Sequence, residues 1–311
     1  MKKIQIKWIS ISLIIFLLAG CKINDNQHET TNDDIQIVAT TTMLTDLLNE
    51  IGGERVQVNG LMRSGIDPHG YQPTASNVNA IYETDIVAYH GMHLEGQMGR
   101  VFSELENIDK QVFVLEETIH DSDMLDSEDE ELPVDPHIWF SVPLWAEAAE
   151  YITQSLSAYD SENAEYYAEN NANYQEELKV LDHYIRERVR EVPENSRYLV
   201  TAHDAFQYFG EEYGFTVIGL QGLNTQTEAG TRDVSQLASF IVEHKIKAVF
   251  IESSVPTRTI ESLKEAVERQ GWDVVIGGEL FSDSLGDTTQ NAETYLKMYR
   301  KNIDTIVNAL K

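Results

Sequence analysis

Residues 161–191 read SENAEYYAENNANYQEELKVLDHYIRERVRE. The stretch holds neither glycine nor proline, and Tyr167, Tyr174, Leu178, Leu181, Ile185 and Val189 recur at helical spacing within an otherwise polar run. A helix of about 30 residues is about 45 Å long, enough to run along a small lobe. Pro193 and Asn195 end it. Its meaning comes from what flanks it, because the same alternation of strand-like and helix-like runs occurs on both sides.

Upstream, the β-rich runs 35–40, 56–62, 85–89 and 111–115 are separated by the helix-like segments 43–51, 74–81 and 95–105. Downstream, the runs 198–201, 215–219, 248–252 and 274–276 alternate with 205–213, 233–243, 260–270 and 292–310. Such alternation predicts mainly parallel sheets flanked by helices. The expected fold is therefore α/β, in two lobes joined by a long rigid helix: an N-terminal lobe at 35–160, the linking helix at 161–191 and a C-terminal lobe at 192–311. An amphipathic helix at 144–156 completes the first lobe, and the acid-rich stretch 120–131 reads as a surface loop.

Residues 1–20 have a different chemistry. Lys2, Lys3 and Lys7 precede an apolar run at 9–18 that ends in Leu18-Ala19-Gly20-Cys21, the pattern of a secretory signal too short to span a bilayer. Cys21 is the only cysteine among 311 residues, so it has no disulfide partner in the chain. Leu-Ala-Gly-Cys resembles the lipobox of bacterial lipoproteins, which implies a diacylated Cys21 as the first mature residue and a stable anchor on the outer side of the membrane. The polar, aperiodic segment 21–34, with His28 in it, reads as a flexible tether. With 52 acidic residues against 23 basic ones the formal charge is −29, which argues against a nucleic-acid partner.

Within the first lobe, Asp67-Pro68-His69 recurs as Asp135-Pro136-His137. Proline stiffens the backbone and biases the residue before it toward an extended conformation, so each imidazole is presented from a firm loop. Firmly held histidines suit a metal. The second lobe adds His203, just past the run 198–201, and Asp283, just past the run 274–276. Ligands of open parallel sheets bind beyond the carboxyl ends of the strands, which allows His69, His137, His203 and Asp283 to meet in one crevice between the lobes. Three imidazoles and a carboxylate suit Zn²⁺, Mn²⁺ or a neighbouring first-row ion rather than Ca²⁺ or Mg²⁺. Protons compete for such ligands, so affinity is expected to fall as pH drops through about 6.5. His90, His93, His120, His183 and His244 are assigned no metal role.

Asp67-Pro68-His69, His93-Leu94-Glu95-Gly96, Asp135-Pro136-His137-Ile138-Trp139, Thr201-Ala202-His203-Asp204-Ala205-Phe206, Leu220-Gln221-Gly222-Leu223 and Gly277-Gly278-Glu279-Leu280 with Ser282-Asp283 resemble the metal-binding lipoproteins of bacterial manganese and zinc ABC transporters. The likeness spans nearly the whole mature chain and is nearest to the manganese-binding lipoproteins of bacilli. It implies a binding protein rather than an enzyme, with His69, His137, His203 and Asp283 as ligands. It also implies Mn²⁺ as the carried ion with Zn²⁺ as the alternative, and a membrane permease with its ATPase as partners. The chain lacks the long His-rich loop common in the zinc branch, which favours manganese. It has His203 where one manganese branch has glutamate, which keeps zinc open. A metallohydrolase is the rival class; it needs an open coordination position and a general base, and no His-Glu-x-x-His, nucleophile elbow or phosphate loop is present. Surface display also permits an adhesin.

Overall fold

A computed structural model describes residues 34–120, 122–127 and 132–311. The signal segment, Cys21, His28 and all of the tether except Asp34 lie outside the described residues, as does part of the acid-rich stretch. Residues Asp34–Lys311 form one compact unit. Among the described residues no helix is long and apolar enough to cross a membrane.

In the first lobe β1 (Ile35–Ala39), β2 (Val56–Gly60), β3 (Ile86–Tyr89) and β4 (Gln111–Val114) form a wholly parallel sheet in the order β2-β1-β3-β4. Helices α1 (Thr42–Gly52), α2 (Ala75–Glu83), α3 (Gly99–Glu106) and α4 (Val142–Tyr159) connect or flank the strands. Ile37, Ala39, Ile86 and Ala88 are buried on one face and Val38 and Val87 on the other, which is why the strands read as apolar runs: both faces of a parallel sheet are covered. In the second lobe β5 (Tyr198–Thr201) pairs in parallel with β6 (Thr216–Gly219), and β7 (Ala248–Glu252) with β8 (Val275–Leu280). Helices α6 (Gln207–Tyr213), α7 (Thr231–His244), α8 (Arg258–Arg269) and α9 (Tyr295–Leu310) complete it.

The linking helix is α5 (Ala164–Val189), preceded by a 3₁₀ turn at Ser161–Asn163. All six of its periodic apolar residues are buried, together with Asn171. It is fastened to both lobes: Asn170 donates to the Ile51 carbonyl at the end of α1, while Tyr184 and Arg188 donate to Asp304 on α9. Tyr295 and Tyr299 on α9 then donate to the carbonyls of Trp139 and Phe140 in the first lobe. One hydrophobic core consequently runs from β1 to α9 through Trp139, Trp145, Phe206 and Phe281.

Two elements differ most from the sequence expectation, each by four residues at one end and for a physical reason. The helix expected at 95–105 begins later, as a 3₁₀ turn at Gly96–Met98 followed by α3, because Glu95 turns inward to accept the His90 N–H and the Thr40 hydroxyl. Strand β8 runs past its expected end at 276, through Gly277 and Gly278 to Leu280. A Cβ at Gly277 would lie 2.7 Å from both Ala309 and Phe250, so glycine here permits close approach of α9 to the sheet.

Candidate metal centre

All four candidate ligands lie beyond carboxyl ends of strands, His69 after β2, His137 after β4, His203 after β5 and Asp283 after β8. The repeated Asp-Pro-His has one local function. In each copy the aspartate Oδ1 accepts the backbone N–H of the histidine two residues on, at 2.8 Å for Asp67 and 2.9 Å for Asp135. This closes a tight turn that proline makes stiff. The copies then diverge. Asp135 Oδ1 also lies 2.6 Å from His137 Nδ1, whereas Asp67 Oδ2 accepts the hydroxyl of Thr225 from the second lobe at 2.5 Å.

His203 is held in the same manner from a distance. Glu252, the last residue of β7, accepts the His203 N–H through Oε1 at 2.9 Å and faces Nδ1 through Oε2 at 2.5 Å. With Nδ1–H given to a carboxylate, Nε2 of His137 and of His203 is the atom left to a cation or to the proton that competes with it, and the carboxylate fixes the ring's orientation. Glu252 escaped the sequence reading; the available signal was a carboxylate closing the apolar strand Ala248–Glu252, where a charge requires a partner. Ser254 donates to Asp283 Oδ2 at 3.0 Å, and Trp139 Nε1 donates to the Ser282 carbonyl, fixing this loop against the His137 turn.

The four side chains converge. One nitrogen from each of His69, His137 and His203 and one oxygen of Asp283 lie within 4.8 Å of one another. His69 Nε2 is 3.3 Å from His137 Nε2, and Asp283 Oδ1 is 3.5 Å from His137 Nε2 and 3.3 Å from His203 Nε2. A tetrahedral ion with bonds of about 2.0–2.1 Å has ligand–ligand edges of about 3.3–3.4 Å, so the set has the dimensions of a small divalent transition metal. His203 Nε2 and Asp283 Oδ1 have no hydrogen-bond partner among the described residues, although both are buried. Such atoms are costly unless something coordinates them.

Electrostatics separates the three imidazoles. Burial pushes His69 down to about 3, a neutral ligand at any physiological pH. Burial acts the same way on His137, but Asp135 and Asp283 outweigh it and raise it to about 9. His203 is likewise raised against its burial by Asp283 and Glu252, and these imidazoles in turn hold Asp283 ionised despite its burial. The region in which protons compete with a cation therefore extends above the 6.5 expected for unperturbed histidine.

The other histidines stand apart. His90 is buried, bonded to Thr41 Oγ1 at 2.8 Å and set between Trp139 and Trp145. His244 stacks on Phe240, and His120 and His183 are exposed. His93 is exposed and lines a cavity next to His69. Asp204 lies just before α6 and accepts from the Gln207 side chain at 2.7 Å.

Residues 37–309 match the family described as the zinc-uptake complex component A, periplasmic. The chain is 40% identical over 296 residues to the manganese-binding lipoprotein MntA of Bacillus subtilis (strain 168), covering 95% of this chain and 96% of that one. It is 43% identical over 274 residues to the zinc-binding protein TroA of Treponema pallidum (strain Nichols), covering 88% of each. The solved structure of the periplasmic zinc-binding protein TroA from Treponema pallidum superposes with a TM-score of 0.86 at 42% identity, over 89% of this chain and 99% of the other. These relatives are binding proteins, not enzymes. On fold, on the convergence of three imidazoles with a carboxylate, and on likeness over nearly its full length, the chain belongs to the substrate-binding proteins of bacterial metal ABC transporters.

Proposed function

We propose that the protein captures a divalent transition metal outside the cell membrane, through His69, His137, His203 and Asp283, and delivers it to a membrane permease driven by its ATPase. The observation that carries this is the meeting of four buried donors from both lobes within 4.8 Å. Four protein donors fill a tetrahedral shell and leave no open position for a catalytic water, which favours carriage over hydrolysis. The lobes at 35–160 and 192–311 and the helix at 161–191 supply the two walls and the spine of the site. Cys21 provides the lipid anchor and 21–34 the tether, an assignment supported by the lipoprotein names of several relatives.

Mn²⁺ is the ion we assign, on the likeness to the manganese-binding lipoprotein of Bacillus subtilis and the lack of a His-rich loop. Zn²⁺ is the second reading, favoured by the edge lengths near those of a tetrahedral zinc site and by the zinc-binding relative. Purified protein should bind either ion, zinc at least as tightly as manganese by intrinsic preference. Each of His69→Ala, His137→Ala, His203→Ala and Asp283→Ala should lower affinity sharply in chelator competition. Unchanged affinity in the His203 variant would remove the site between lobes. Growth of a deletion strain in chelated medium assigns the ion: rescue by zinc and not by manganese overturns the manganese assignment alone.

A further inference from the structure

A buried site must be reached. Of the four candidate ligands His69 is the least enclosed, at 4% exposure against 1% or less for the others. A cavity of about 310 Å³ reaches it from the surface, lined by His69, His93 and Gln97 of the first lobe and by Asn224 and Gln226 of the second. The second lobe folds over this opening at two points: Thr225 bonds Asp67, and the Gln226 amide lies over Gly70, where a Cβ would sit 2.4 Å from its Nε2. A cation entering by this opening passes His93, a histidine outside the four-residue set.

His93 is held there at a conformational cost. Gly91, Met92 and His93 have successive φ angles of 82°, 50° and 59°, and the last two are unfavourable for residues with a Cβ. The segment is tied by Met92 N–H to Glu116 at 2.7 Å, by Leu94 N–H to the Gly91 carbonyl at 3.0 Å, and by His90 N–H to buried Glu95 at 3.0 Å. Met92 and Leu94 are thereby buried on either side while His93 stays exposed. Among the described residues its imidazole makes no hydrogen bond, ion pair or ring contact. Gln97 and Gln226, both exposed, add neutral oxygen donors around the same opening.

We propose that His93 is a transit ligand: it takes a partly hydrated divalent cation at the mouth and passes it to His69, without belonging to the final coordination set. This rests on the metal-binding reading above. A hydrated ion loses its water stepwise, and an imidazole that replaces one water before the ion enters lowers the barrier in both directions. A group acting only on the barrier changes association and dissociation by the same factor and leaves the equilibrium untouched.

The test uses Zn²⁺ alone and Mn²⁺ alone with the full chain. Trp139, whose ring lies 5.2 Å from that of His137, reports binding by fluorescence in stopped flow. Dissociation follows from an EDTA chase and Kd from chelator competition. His93→Ala removes the imidazole; His93→Gly removes it and also relieves the positive φ, which separates loss of the ligand from backbone strain. His183→Ala, an exposed histidine on α5, is the control. Both His93 variants should bind and release about tenfold more slowly, a barrier change of about 1.4 kcal/mol, with Kd unchanged within about twofold. Unchanged rates in the glycine variant, or a raised Kd in both, would overturn the proposal. If the unsubstituted protein shows no saturable binding, the functional reading itself falls, which is a distinguishable result.

Discussion

At the scale of single residues, carboxylates determine how the imidazoles are presented. Asp135 and Glu252 each take a backbone N–H and face an Nδ1 of the histidine they hold, although one lies two residues away in sequence and the other at the end of a different strand. Removing such an outer partner in metal sites costs about 10- to 100-fold in affinity. Glu252→Gln should therefore weaken metal binding by about that factor while the protein stays folded, because the glutamine oxygen still accepts one of the two N–H groups. Chelator competition on the variant checks this. Affinity equal to that of the parent would show that packing alone aims His203.

At the scale of elements, α5 and α9 hold the lobes in one arrangement. Leu181 is fully buried at the middle of α5, and truncating such a leucine costs about 2–5 kcal/mol. Since α5 is fastened to both α1 and α9, Leu181→Ala should lower the denaturant midpoint of the whole protein in one transition. Two separate transitions would mean that the helix merely tethers independent lobes. Asp46 on α1 meets the first turn of α9 and accepts the Tyr295 N–H at 2.8 Å. Burial raises its pKa from 3.8 to about 7, with Glu50 and Glu293 adding to the rise and the Tyr295 bond opposing it. A carboxyl raised on folding stabilises the native state below its unfolded pKa, and that contribution is lost as pH rises through about 7. Chemical denaturation between pH 4 and 7 should show Asp46→Asn with a flatter decline in stability than the parent. The general repulsion of a chain at −29 affects both proteins, so the difference isolates this group. Parallel pH profiles would refute it.

At the scale of the molecule, a cation held by both lobes acts as a cross-link present only in the native state. Binding raises stability by about 4 kcal/mol when free ligand is about a thousand times Kd. Thermal unfolding with Zn²⁺ or Mn²⁺ should therefore shift upward as a single transition. The shift should vanish in His203→Ala and in Asp283→Ala, which remove the second lobe's donors. A shift retained in both variants would place the ion within the first lobe. The hydrophobic core is continuous on the side of α9, while a cavity opens beside His69.

The sequence by itself determined the periodic features. A stretch without glycine or proline and with six apolar residues at helical spacing could only be a long one-sided helix, and residues 164–189 form it. Short apolar runs separated by helical segments specified parallel sheets, because both faces of such sheets are covered. The repeated Asp-Pro-His was legible as well, since the turn it makes is local: an aspartate reaching a backbone N–H two residues on. Local signals failed where a residue answers to something distant. Gly277 and Gly278 read as a strand end and are strand, since α9 packs close against Gly277. Glu95 read as helical, yet it turns inward to the His90 N–H and the Thr40 hydroxyl. Glu252, 49 residues from the histidine it orients, carried no local sign of that partner. The split of imidazole pKa values, with His69 down and His137 up, depends on which carboxylates lie within a few ångströms. Only the tertiary structure brings those groups together, because distance in space rather than distance along the chain sets the Coulomb energy.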